Sequence, residues 1–181
     1  TSTISSVTLP TNRDFALFKD MKVSIASLGD TLAEVYCSEF EASVDCKFER
    51  DDVTTRYGYL IDEPIGDGHV EIVGKLRFTK YNDNAGGNDA LISALLAKTP
   101  KKMKVVWTGP AIGATAFSLT LWLPYVQFST GNVNIGGPAR IPVDLSFMAA
   151  RTLTLPSGFP SGYLDAINIE LVNQKSTDAL A

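Results

Sequence analysis

His69 is the only histidine in the chain, so it is the first candidate for a general base. A nucleophile–base pair needs such a group beside a serine, threonine or cysteine. His69 instead opens an alternating segment beside Glu71, where the pattern leaves it a surface side chain. Cys37 and Cys46 are the only cysteines. They form no Cys-x-x-Cys unit, and with a single histidine they make no zinc-ligand set. Both are read as reduced thiols, with Cys46 buried in a strand. The acid pairs Asp51-Asp52 and Asp62-Glu63 have the chemistry for proton transfer, but adjacent acids in a loop read as solvated turn residues. Asp62, Glu63 and Asp67 are spaced for weak calcium contact at most, not as an EF-hand loop. Gly86-Gly87-Asn88 and Gly136-Gly137-Pro138 lack the strand before, the helix after and the lysine of a phosphate loop. The sequence carries no catalytic signature, so no enzyme, no metal and no cofactor are expected.

The elements that must position these residues are mostly strands. In 40–49, Phe40, Ala42, Val44, Cys46 and Phe48 alternate with Glu41, Ser43, Asp45, Lys47 and Glu49. Successive strand side chains point to opposite faces, so this segment has one buried and one wet face. The same period of two runs through Val70, Ile72, Gly74, Leu76 and Phe78, and through Met103, Val105 and Trp107. It returns at Phe117, Leu119, Leu121 and Leu123, and at Ile141, Val143, Leu145 and Phe147. Shorter candidates cover 21–27 and 166–172. Many wet-faced strands imply antiparallel pairing. The expected fold is therefore mainly β: an antiparallel β-sandwich or partly open barrel with one flanking α-helix over about 88–98. That helix has Leu91, Ile92, Leu95 and Leu96 at helical spacing, Asn88 or Asp89 as its cap, Lys98 in its last turn and Pro100 as its stop. A second, weaker helical pattern covers 30–35.

Segment 51–68 joins two clear strands by an 18-residue connection, long beside the two to five residues usual in a hairpin. Its Tyr57, Tyr59, Leu60 and Ile61 are too apolar for a loop that meets only water, and they suggest a partner surface. A strand over 56–61 is the alternative.

With 181 residues, the chain suits one domain with an appended arm. The expected division is an arm over 1–20, a domain over 21–173 and a tail over 174–181. The start has no basic and apolar leader pattern and no initiator methionine, as expected of a trimmed chain or the later part of a longer one. No apolar run approaches the roughly 20 residues of a membrane helix, and no membrane partner is expected. A net charge of −4 and a pI near 5.0 argue against a protein that grips phosphate, which needs clustered Lys and Arg.

Three stretches in order carry a resemblance: the strand EFEASVDCKFER running into the long loop, the return strand GHVEIVGKLRF, and, after the helix and one more strand, FSLTLWLPYVQFSTGNVNIGGPARIPVDLSFMA. Over roughly 40–149 the chain resembles the tail tube (major tail) proteins of long-tailed bacteriophages. In those, a leucine/tryptophan strand ends in proline, and a turn with glycine leads to a closing strand ending in Phe-x-Ala. The matching positions here are Leu121, Trp122, Leu123, Pro124, Gly137 and Phe147-Met148-Ala149. The resemblance implies a structural virion protein, assembled in the host bacterial cytoplasm, whose rings, typically of six subunits, stack into the conduit for the genome. It implies self-association, contacts with the tape measure, tail terminator and tail tip proteins, and viral DNA that passes without specific binding. Tyr57, Tyr59, Leu60 and Ile61 would then make the inter-ring contact, and Glu41, Asp45, Lys47, Glu49 and Glu71 the lumen face. The competing reading is a carbohydrate- or protein-binding β-sandwich module of a phage baseplate or adhesin, with Trp107 or Trp122, Tyr125 and Phe128 exposed for stacking.

Overall fold

The alternating segments become the strands of one antiparallel sheet. The computed structural model describes residues 20–47, 55–56, 60–61, 69–81, 88–112, 115–133 and 141–172. In chain order the elements are β1 (Met21–Ser27), β2 (Ala33–Val35), β3 (Glu39–Asp45), β4 (Thr55–Arg56), β5 (Leu60–Ile61), β6 (Glu71–Phe78), α1 (Asp89–Leu96), β7 (Lys101–Ile112), β8 (Thr115–Val133), β9 (Val143–Ala150) and β10 (Asn168–Val172). Eight strands form one sheet in the order β2-β1-β7-β8-β9-β6-β3, with β10 also on β8, while β4 and β5 pair with each other.

The sandwich is this single sheet rolled over, with its edges left open. Phe40 on edge strand β3 meets Trp107 of β7 edge-on, with ring centroids 6.0 Å apart, and stacks on Phe147 of β9 at 6.2 Å. In the strand order β3 and β7 are separated by β6, β9 and β8, so the Phe40–Trp107 contact crosses the interior. Between the layers lie Val23, Ile25, Ile72, Leu76, Met103, Val105, Leu123, Val126, Leu145 and Phe147, all buried. All but Val126 are apolar members of the alternating patterns. Burying each such side chain contributes about 1.5–3 kcal/mol.

Rolling requires bends, and β8 supplies them. The expected strand end at Pro124 is instead a bulge inside a 19-residue strand. Met103 pairs with Leu123 but Lys101 with Val126, so one extra residue stands on β8. Proline has no N–H to give a ladder, which suits a bulge. A second extra residue falls between Phe128, opposite Phe147, and Thr130, opposite Ser146. Each bulge reverses which parity faces the core: Leu123 before, Val126 and Phe128 between, Gly131 after.

The helix lies where expected but ends differently. Asn88 makes no side-chain cap bond; its amide donates to the Lys80 carbonyl at 2.8 Å, tying the helix to the end of β6. Leu91 and Ala94 are buried while Leu96 is exposed, so the stripe is narrower than its four leucine and isoleucine positions suggest. Lys98 lies past the last turn, with φ +51°, and Thr99 N–H donates to the Ala94 carbonyl at 2.9 Å. The chain thus closes the helix through a left-handed residue. A side chain at Gly131 would stand 2.5 Å from Leu95 Cδ2, so glycine lets α1 lie against β8.

Segment 30–35 is not helical. Ala33–Val35 forms β2, because Val35 pairs with Val23 and buries on the core side. Cys46 is exposed just past β3, not buried, and Cys37 is half-buried; both are free thiols. Burial pushes the Cys37 thiol pKa up.

Candidate assembly surfaces

The wet side of β3, β6 and β9 carries a cluster of charged side chains. Pairing sets Glu41 opposite Lys75, Asp45 opposite Glu71 and Glu39 opposite Arg77, and Arg77 opposite Asp144 across the next ladder. Two like charges, Asp45 and Glu71, therefore face each other. Lys47 resolves this: its Nζ lies 2.9 Å from Asp45 Oδ2 and 3.3 Å from Glu71 Oε2. Those two carboxylates raise its pKa. Arg77 reaches Glu39 at 3.7 Å and Asp144 at 3.5 Å, and Lys75 reaches Asp144 at 4.0 Å. Asp144 Oδ1 is buried and makes no hydrogen bond of good geometry; the Arg77 contact at 3.5 Å is an ion pair only. All of these groups are partly solvated and screened by water and salt, so the pairs add little to stability. Their importance is in charge placement. Among the described residues of this face, five carboxylates stand with three cations, and each of those cations is engaged by a carboxylate of the same face.

Of the five residues expected on one face, Glu41, Asp45, Lys47 and Glu71 come together there, and Glu49 lies outside the described residues. Strand register adds Glu39, Lys75, Arg77 and Asp144 as their companions. Between β3 and β8 the face dips into a hollow of about 360 Å3 lined by Glu41, Ser43, Val73, Ser129, Ser146 and Met148. Among the described residues no cationic side chain lines it.

The long connection contains a two-stranded ladder, Thr55 with Ile61 and Arg56 with Leu60. Leu60 and Ile61 are thus held in strand conformation. Tyr57 and Tyr59 lie outside the described residues.

The opposite half of the molecule shows why the exposed-aromatic platform fails. Trp122 faces outward with Lys104, yet it is buried. The chain leaves β9 at Ala150, opposite Tyr125, and re-enters the sheet as β10 with Asn168 opposite Trp122. β9 and β10 are successive lengths along one edge of β8, and 151–167 is an excursion between them. That excursion lays Phe159 against Trp122 at 4.9 Å and Tyr163 at 6.0 Å. Trp122 Nε1 donates to Glu170 at 3.0 Å, and Lys104 Nζ sits 4.2 Å above the indole. Lys102 anchors the same excursion. Its fully buried ammonium donates to the carbonyls of Leu28 at 3.1 Å and Ser157 at 2.5 Å, and desolvation lowers its pKa. Phe128 is buried in the core, and Trp107 is half-buried against Phe40.

Among the described residues no cluster of His, Cys, Asp and Glu could hold a metal ion, and no helix is long and apolar enough to cross a membrane.

No protein-family model matches the sequence, and no curated protein matches it. Solved structures do. The SPP1 tail tube protein aligns with TM-score 0.55 and 14% identity, over 74% of each chain. A protein of the tail of an empty gene transfer agent particle, refined with C6 symmetry, aligns with TM-score 0.55 and 10% identity, over 78% of this chain and 98% of that one. A protein from the native gene transfer agent virion gives TM-score 0.53 and 10% identity, with the same coverage. The chain has a tail-tube fold. The mainly β architecture with one helix that the alternating patterns implied is thus the architecture observed.

Proposed function

We propose that this protein is the repeating subunit of a tail tube, forming closed rings, six-fold in symmetry, that stack into a conduit for the genome. The observation that carries the proposal is the shared fold with the SPP1 tail tube protein and with a protein of a C6-symmetric tail. The open sheet supports it: among the described residues, the outer edges of β2 and β3 pair with no further strand. Exposed edges of this kind need covering, and neighbouring subunits in a ring supply it.

In this reading the charged face of β3, β6 and β9 lines the lumen. Its three cations are held by its own carboxylates, so none is free to grip a phosphate. DNA then slides without specific binding. The connection 51–68, with Tyr57, Tyr59, Leu60 and Ile61, makes the ring-to-ring contact. The ends of the tube meet the tape measure, the terminator and the tail tip. The protein resides in the virion tail after assembly in the host cytoplasm, and its role is structural, not enzymatic. The carbohydrate-binding reading loses its platform, because Trp122 and Phe128 are buried.

Negative-stain microscopy of the purified protein over a concentration series tests this. Rings or tubes of constant diameter are expected. A protein that remains monomeric at every concentration, with its termini complete, would refute it.

A further inference from the structure

The turn after β1 and the excursion 151–167 are joined at one seam. Ser157 N–H donates to the Leu28 carbonyl at 3.1 Å. The Lys102 ammonium donates to that same carbonyl at 3.1 Å and to the Ser157 carbonyl at 2.5 Å, and it is fully buried. Asp30, in the same turn, favours the charge on Lys102. A groove of about 670 Å3 opens beside the seam, lined by Leu28 and Gly29 from the turn and by Thr152–Ser157 from the excursion. The two segments stand apart along the groove and meet at Lys102.

Each side of the seam runs on into a short strand at an edge. The turn leads to β2, three residues that pair with β1. The excursion leads to β10, five residues that pair with β8. Thr152 N–H donates to the Leu164 carbonyl at 2.9 Å, which closes the excursion on itself. Phe159 and Tyr163 seat it on Trp122, and Trp122 Nε1 donates to Glu170 of β10. Movement at Ser157 is therefore passed along the excursion to β10.

The pin couples the two sides energetically. If either segment lifts away alone, a buried ammonium loses a partner for its charge. That cost exceeds the loss of a neutral hydrogen bond. Short edge strands have little ladder of their own with which to resist opening. The cheaper event is for both segments to leave together and let water reach Lys102.

We infer that the turn 28–30 with β2 and the excursion 151–167 with β10 form a clasp pinned by Lys102, whose two arms open and close as one unit. An open clasp uncovers Trp122 and lifts β10 off β8. The inference does not rest on ring formation, since a lone subunit holds the whole device.

Two measurements on the full chain test it. The first is native-state hydrogen exchange of the unsubstituted protein through rising, sub-denaturing urea. Amides of Ala33–Val35, Thr152, Ser157, Leu164 and Asn168–Val172 should converge on one opening, of lower free energy than that of β7. Separate openings for β2 and β10 would overturn the inference. The second is Lys102→Met, which keeps an apolar chain in place and removes the donors. Amides of β2 and β10 should both exchange about tenfold faster or more, with those of β6 unchanged. Acceleration on one arm alone, or on neither, would show that Lys102 does not couple them. Should that variant fail to fold, the first measurement decides.

Discussion

The ring of Phe147 occupies the space where a side chain at position 74 would stand. A Cβ built on Gly74 would collide with Phe147 Cζ and with the Glu41 carbonyl, because Gly74 and Phe147 are register partners on β6 and β9. Phe147 is thereby free to stack on Phe40 and tie edge strand β3 into the core.

Gly74→Ala should therefore lower stability by about 1–3 kcal/mol, the usual cost of overpacking a filled core. Urea unfolding measures it. Adding Phe147→Leu to the variant should cost less than the sum of the two single changes, because each then relieves the other. Strict additivity would mean that the two positions do not share space.

Lys98 invites the opposite change. It holds a left-handed conformation at φ +51°, which disfavours a non-glycine residue by about 1–2 kcal/mol. Lys98→Gly should raise stability by about 0.5–1 kcal/mol after the added freedom of the unfolded chain is subtracted, read as a higher midpoint of thermal unfolding.

The two thiols should react differently. Cys46 is exposed, whereas Cys37 is half-buried and its pKa is raised by burial. Alkylation with iodoacetamide, mapped by mass, should label Cys46 first and Cys37 several-fold more slowly, with the Cys37 rate climbing at higher pH. The sign for stability follows. Between its unfolded and its raised folded pKa, Cys37 binds more protons folded than unfolded. Its contribution is complete below the ordinary thiol value and is lost as pH rises through the folded one. Cys37→Ala should remove that part of the alkaline destabilisation.

Free protein should not shift duplex DNA even at low salt, where attraction is exaggerated. Replacing Glu41, Asp45 and Glu71 together by lysine should create micromolar, salt-sensitive binding. Anisotropy at two salt concentrations reads both results, and tight binding by the unsubstituted protein would reveal a basic face elsewhere.

Deleting 57–59 within the long connection should leave the subunit folded, by circular dichroism, while blocking the stacking of rings. Normal tubes from that variant would exclude this connection as the inter-ring contact.

Much of the sheet could be read from alternation alone, because strands with one wet face write their burial into every second residue. β3, β6, β7, β9 and the first part of β8 are all of this kind. What escaped was decided by partners distant in the chain. β2 is only three residues long, too short for any period, and exists through Val23. The bulges at Pro124 and before Thr130 reverse the facing of β8, so its later half breaks the rule its first half obeys. Trp122 follows the outward parity and so reads as exposed; the excursion that buries it begins almost thirty residues later. On the charged face, Glu41, Asp45 and Glu71 could be found from alternation, but the partnership of Arg77 with Asp144 depends on which strands are neighbours.

The interrupted edge of β8 has a consequence for the order of folding. β7 and β8 meet through a short hairpin and can pair early, but β10 reaches residues 118–122 only from 168–172. Contacts so far apart in sequence form late, since loop closure must precede them. Until the excursion 151–167 settles onto Trp122 and Lys102, a length of β8 stands with one ladder edge unfilled. Pulse-labelled exchange would then show amides of β10 protected after those of β7. At high protein concentration, that interval is when a strand from another chain could take the place of β10, and the buried lysine and tryptophan that fasten the excursion set how long it lasts.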